Sequence, residues 1–131
     1  MPWTEVFAVL VVSHLFGDFV LQTEWQASHK HGGLGADPEA RAALASHIGT
    51  YLLSFVPALI WIWSHHGFGV AVGMLALIGV PHTIQDDGRL LSAYVRGVKH
   101  VARDAWDVVY LAVDQSLHVL ALFLAALVVG S

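Results

Sequence analysis

Histidine and aspartate recur in this chain as three pairs spaced four residues apart: His14 with Asp18, His82 with Asp86, and Asp114 with His118. One further histidine, His47, stands alone between the first and second pairs. On an α-helix, residues four apart share a face, with Cβ atoms about 6 Å apart, so each pair can chelate one ion or flank two. Imidazole nitrogen and carboxylate oxygen, with no sulfur among them, suit a divalent metal such as zinc, manganese or iron. The chain contains no cysteine, which excludes thiolate zinc sites, disulfides and thiol nucleophiles. Four neutral imidazoles and three carboxylates exceed the ligand set of one tetrahedral zinc. Two metals that share a carboxylate and keep positions open for water and substrate fit the seven side chains better.

The setting of these residues makes them stand out. Apolar residues make up 56% of the chain and charged residues 12%, about half the charge of an ordinary soluble domain. The apolar residues fall into four blocks, about 3–21, 43–63, 68–84 and 108–129. Each approaches the roughly 20 residues that span a bilayer. Pro57 should kink the second block or be tolerated there, as membrane helices tolerate proline. The first block follows no basic segment and carries no small-residue cleavage site, so it is expected to be a retained helix rather than a signal peptide. An ionisable residue within a span costs about 2.5–3.5 kcal/mol or more when unpaired. The seven His and Asp side chains must therefore satisfy one another or bind something.

Charge sets the expected topology. All six Lys and Arg (Lys30, Arg41, Arg89, Arg96, Lys99 and Arg103) lie in the two polar connections, Thr23 to Arg41 and Asp87 to Asp107. Four spans put both connections on one side, which the positive-inside rule makes the cytoplasm. Both termini and the tight turn Ser64–Gly67 then face outward. Alternating helix direction brings all the His/Asp groups to one depth near the cytoplasmic surface. In the second connection Leu91, Tyr94, Val95, Val98, Val101, Ala102 and Ala105 recur at helical spacing. They predict an amphipathic helix over about 89–106, lying in the membrane interface or packed on the bundle. The expected architecture is an all-α integral membrane domain over 1–131, with four transmembrane helices and this interfacial helix between the third and fourth.

Lesser candidates surround the cluster. His29, His31, His65, His66 and His100 fall in or near loops and are expected to be solvated. Asp87 competes with Asp86 as a ligand. Gln22, Gln85 and Gln115 sit beside ligands and can orient them or satisfy helix ends. Trp25 and Trp106 read as interface anchors. Gly69, Gly73 and Gly79 would allow close helix packing within or between chains, compatible with a homo-oligomer.

The stretch from His14 to Gln22, the single helical His47, the His82–Asp86 pair and the Asp114-Gln115-x-x-His118 motif together resemble a family of small bacterial membrane proteins. That family is described only as a domain of unknown function, number thirty-three-oh-seven. The resemblance covers nearly the whole chain and implies a multi-pass protein of the bacterial inner membrane, but no activity. Architecture and His/Asp content are also loosely similar to membrane-bound metal-dependent hydrolases.

The residues favour a hydrolase that uses one or two divalent metal ions near the cytoplasmic interface. His14, Asp18, His47, His82, Asp86, Asp114 and His118 are the expected ligands. One of Asp18, Asp86 and Asp114 is expected to bridge metals or act as general base. A site at headgroup depth points to membrane lipid and to a lipid-linked phosphoester or ester, with Arg89, Arg96 and Lys99 near an anionic headgroup. Metal transport is the alternative; Thr50, Tyr51 and Ser54 are the polar residues that would have to line its path. A di-iron oxidoreductase comes third, because helical di-iron sites rely on Glu and the His/Asp groups include none. With six Lys and Arg in all, no basic stripe for nucleic acid can be built.

Overall fold

A computed structural model of the chain describes residues 2–131, and every regular element in it is helical. Helix α1 (Trp3–Leu15) continues into a widened π-helical turn, Phe16–Val20. Short α2 (Glu24–His29) begins with a reciprocal cap in which Thr23 and Gln26 satisfy each other's backbone N–H. Helix α3 (Pro38–Ser54) starts on an Asp37 cap with proline in its first turn. It meets α4 (Val56–His66) at a bend of 50°. Helix α5 (Phe68–Asp87), α6 (Arg89–Gly97), one 3₁₀ turn (Arg103–Ala105) and the long α7 (Trp106–Gly130) complete the chain.

Three stretches are long and apolar enough to cross a membrane: Trp3–Val20, Phe68–Asp87 and Arg103–Gly130. The bent pair α3–α4 makes a fourth when taken as one span. The bend has a local cause. Pro57 has no N–H to offer the Leu53 carbonyl, and its ring crowds that carbonyl. The helix breaks at Phe55, where the Ser54 hydroxyl lies 2.8 Å from the Ser13 carbonyl oxygen of α1.

The interior divides along its length. One end is apolar, where Val6, Leu10, Phe55, Ala58, Ile62, Met74, Ile78 and Leu122 form a continuous core. Trp3 and Phe7 of α1 pack edge-on against Phe123 of α7. The other end holds buried polar side chains, with Tyr51 at the boundary. The outer surface is apolar as well: Val12, Phe19, Ile60, Val80 and Leu124 are each more than half exposed. Contiguous surfaces of that kind are uncommon on soluble monomers.

One element is shorter than its sequence pattern predicts. The amphipathic helix expected over 89–106 ends at Gly97, and His100 has a positive φ of 49°. Leu91 and Val95 are buried against the bundle, whereas Val98 is 65% exposed. Beyond Gly97, a weak helix former, no packing compensates the cost of holding so short a helix.

Candidate metal centre

Four elements bring the His/Asp residues together at the polar end of the bundle. The π-turn supplies Asp18, α3 supplies His47, α5 supplies His82 and Asp86, and α7 supplies Asp114 and His118. The Nε2 atoms of His47 and His82 lie 3.1 Å apart, and Asp86 Oδ2 lies 2.7 Å and 2.9 Å from them. Asp18 Oδ1 is 3.2 Å from His47 Nε2 and 3.6 Å from His82 Nε2. On the other side of the same carboxylate, Asp86 Oδ1 is 3.3 Å from His118 Nε2. Two donor groups result, Asp18–His47–His82–Asp86 and Asp86–Asp114–His118, and Asp86 is common to both.

These distances suit a cation. Ligands about 2.0–2.1 Å from a tetrahedral zinc are about 3.3 Å from one another, and the first group spans 2.7–3.6 Å. Hydrogen bonding points the same way. His118 Nδ1 lies 2.7 Å from the Asp114 carbonyl oxygen, an acceptor only, so Nδ1 carries the proton, and in the neutral ring Nε2 presents a lone pair toward Asp86 Oδ1. Both facing atoms are buried and have no hydrogen-bond partner among the described residues, and Asp18 Oδ1 shares that condition. Buried acceptors aimed at one another are costly, and a divalent ion between them removes the cost. The nitrogen and oxygen donors therefore fit one or two such ions.

His14, expected as a ligand, holds a different post. Gln115 Nε2 donates to Asp18 Oδ2 at 3.1 Å and lies 3.3 Å from Asp114 Oδ2. That orientation turns Gln115 Oε1 toward His14 Nε2, 2.8 Å away, which must donate to it. His14 Nδ1 is then an acceptor for the Tyr51 hydroxyl at 2.9 Å. Both ring nitrogens are thus engaged, and the His14–Asp18 contact is a loose 3.9 Å. The cause lies in the π-turn, whose extra residue rotates Asp18 away from His14 and toward α3 and α5. His14 instead holds Gln115, which in turn holds a carboxylate of each donor group.

Tyr51 and Lys30 have roles that the spacing did not reveal. The Tyr51 ring stacks flat on His82, with centroids 3.4 Å apart and planes within 4°. Gly17 permits this, because a Cβ there would lie 2.5 Å from the Tyr51 ring. Lys30 Nζ donates to Asp86 Oδ2 at 2.9 Å and to Gln22 Oε1 at 2.7 Å. A basic residue in a polar loop carries no sign of turning inward, whereas Tyr51 falls one helical turn after His47 and shares its face.

The remaining candidates separate cleanly. Asp87 accepts from the Leu34 backbone N–H and from Arg89 Nε, both at 2.8 Å, so it anchors the loop and Asp86 is the cluster carboxylate. Gln22 and Gln115 join the site, while Gln85 instead reaches toward the Leu117 carbonyl at 3.3 Å. His29, His31, His65 and His100 are exposed and His66 is half-buried.

The cluster is buried, with the Asp86 side chain only 1% exposed. A cleft of about 490 Å³ opens beside it, and Asp86 forms part of the wall together with Lys30, His31, Ser92, Arg96 and Tyr110. The shared carboxylate is thus the member of the cluster that borders the cleft.

A family model described as "Protein of unknown function (DUF3307)" matches residues 6–131. No curated protein and no solved structure matches the chain, and no likeness to hydrolases is shown by these comparisons.

Proposed function

From the premise that this chain belongs to the DUF3307 family of unknown function, we propose that it is a membrane-embedded, metal-dependent hydrolase working at the cytoplasmic face. The observation that carries this reading is the double position of Asp86, shared by two donor groups and forming part of the wall of a cleft. A structural metal site is closed, whereas a catalytic one keeps a side open to substrate. The apolar spans and the apolar outer surface support insertion in a bilayer. The six Lys and Arg around the polar end support its cytoplasmic placement.

Asp18, His47, His82, Asp86, Asp114 and His118 would hold one or two divalent ions, with Asp86 bridging them when there are two. Such ions supply Lewis acidity and lower the pKa of a coordinated water. Asp114, whose side chain keeps 14% exposure, is the least buried of the three carboxylates and would accept a proton from that water. Gln115, held by His14, keeps Asp18 and Asp114 in register. Tyr51 fixes the His82 ring by stacking. Metal transport finds less support: beyond Tyr51 the bundle is filled by Leu10, Phe55, Met74, Ile78 and Leu122, which offer an ion no nitrogen or oxygen ligand.

The test is metal analysis of the purified protein combined with turnover of generic phosphoesters and esters. One or two ions per chain are expected, together with metal-dependent hydrolysis. Asp86→Ala should lose both. Asp114→Asn should keep at least one ion and lose turnover. A wild-type protein with no bound metal, or hydrolysis undiminished in Asp86→Ala, would refute the proposal.

A further inference from the structure

The cleft beside Asp86 has a chemistry of its own. Its wall carries two cations, Lys30 and Arg96, and two carboxylates, Asp86 and Asp107. Asp86 is the carboxylate shared by the donor groups, so with divalent ions bound its charge is taken up and the cleft becomes cationic. Lys30 is not a lipid anchor of the usual kind, since its side chain is only 16% exposed and its ammonium points inward at Asp86. Two of its three N–H bonds go to Asp86 and Gln22, which leaves the third for a ligand. Ser92 and Arg96 stand one turn apart on α6 and add a hydroxyl and a guanidinium. The Ser92 hydroxyl is within 3.1 Å of His31 Nε2. Tyr110 also lines the cleft.

The turn between α5 and α6 packs closely against this lining. Gly88 has φ of 75°, and a Cβ there would lie 2.6 Å from the His31 ring and 2.7 Å from the Tyr110 hydroxyl. Any side chain at that position would both strain the backbone and displace His31 or Tyr110.

We propose that this cleft is a phosphoryl-binding site, in which Lys30 and Arg96 hold the phosphate of the substrate against the loaded metal cluster. The inference rests on the metal reading above and narrows it from esters in general to phosphoesters. An uncharged ester carbonyl gives an ammonium and a guanidinium little to bind, whereas a dianionic phosphate uses both along with the ions. The phosphate can belong to a lipid headgroup or to a soluble monoester, and the cleft's volume of about 490 Å³ accepts either.

The experiment is calorimetric titration of detergent-purified, manganese-loaded protein, with metal content measured on every sample. The ligands are inorganic phosphate, glycerol 3-phosphate and a short-chain phosphatidic acid. Binding of phosphate is expected only to the metal-loaded protein, weakened at least tenfold in Arg96→Gln and in Lys30→Gln. Arg96 touches no metal ligand, so Arg96→Gln should retain the wild-type metal content and is decisive if Lys30→Gln loses metal. Phosphatidic acid binding more tightly than glycerol 3-phosphate assigns the site to a lipid headgroup, and equal affinities assign it to a soluble phosphate. Protein that holds metal but binds none of the three, or binds them equally well in Arg96→Gln, overturns this inference alone. Protein that takes up no metal overturns the hydrolase reading and this one together.

Discussion

Asp86 and Asp87 are identical side chains on adjacent residues, and one helical step gives them unrelated tasks. Asp86 faces His47, His82 and His118, while Asp87 faces Arg89 and the Leu34 backbone. Asp87→Asn is therefore expected to leave metal content unchanged, measured in parallel with Asp86→Ala. A matching loss of metal in both variants would contradict the assignment. Gln115 is the less obvious residue, because it coordinates nothing and yet touches Asp18, Asp114 and His14. Removing groups that orient ligands typically weakens metal binding by about 10–100-fold. Gln115→Leu, similar in size but without the amide, should show a loss in that range in a competitive chelator titration. An affinity within twofold of wild type would mean that Asp18 needs no such support.

Among the elements, the π-turn at Phe16–Val20 is the most consequential. It redirects Asp18 into the cluster and places Gly17 directly against the Tyr51 ring. Overpacking a tight contact costs about 1–3 kcal/mol. Gly17→Ala should thus lower the thermal unfolding midpoint in detergent and weaken metal binding through the displaced Tyr51–His82 stack. Gly49→Ala is the control, since a Cβ there meets nothing within 4 Å, and it should leave both quantities unchanged or slightly improved. Equal effects of the two substitutions would remove the π-turn from the explanation.

For the whole molecule, all six Lys and Arg lie at the end that holds the buried polar cluster, and orientation in a bilayer should follow from that. The absence of cysteine makes single-cysteine labelling straightforward. Ser64→Cys, in the last turn of α4, should react with a membrane-impermeant maleimide in intact cells. Gly97→Cys, at the end of α6, should react only after the membrane is opened. The reverse pattern would place the cluster on the outer face and invalidate the cytoplasmic assignment.

Much of this protein was readable from residue order. Hydropathy blocks, the i,i+4 spacing of the His/Asp pairs and the clustering of Lys and Arg are local properties of the chain. Alternating helix direction then follows from counting spans. These properties were enough to place His47, His82, Asp86, Asp114 and His118 in one layer, and the kink near Pro57 is a consequence of proline chemistry alone. What the spacing could not supply was the rotation of each helix about its axis. A four-residue spacing says that two side chains share a face, but not which neighbour the face meets. Packing decides that, and a single π-turn changes it. The tertiary structure therefore sent His14 to Gln115 and Tyr51, made Asp86 the common carboxylate, and drew Lys30 from its loop onto that carboxylate. The layer of ligands follows from periodicity, whereas the division of labour within it exists only once the four helices are packed.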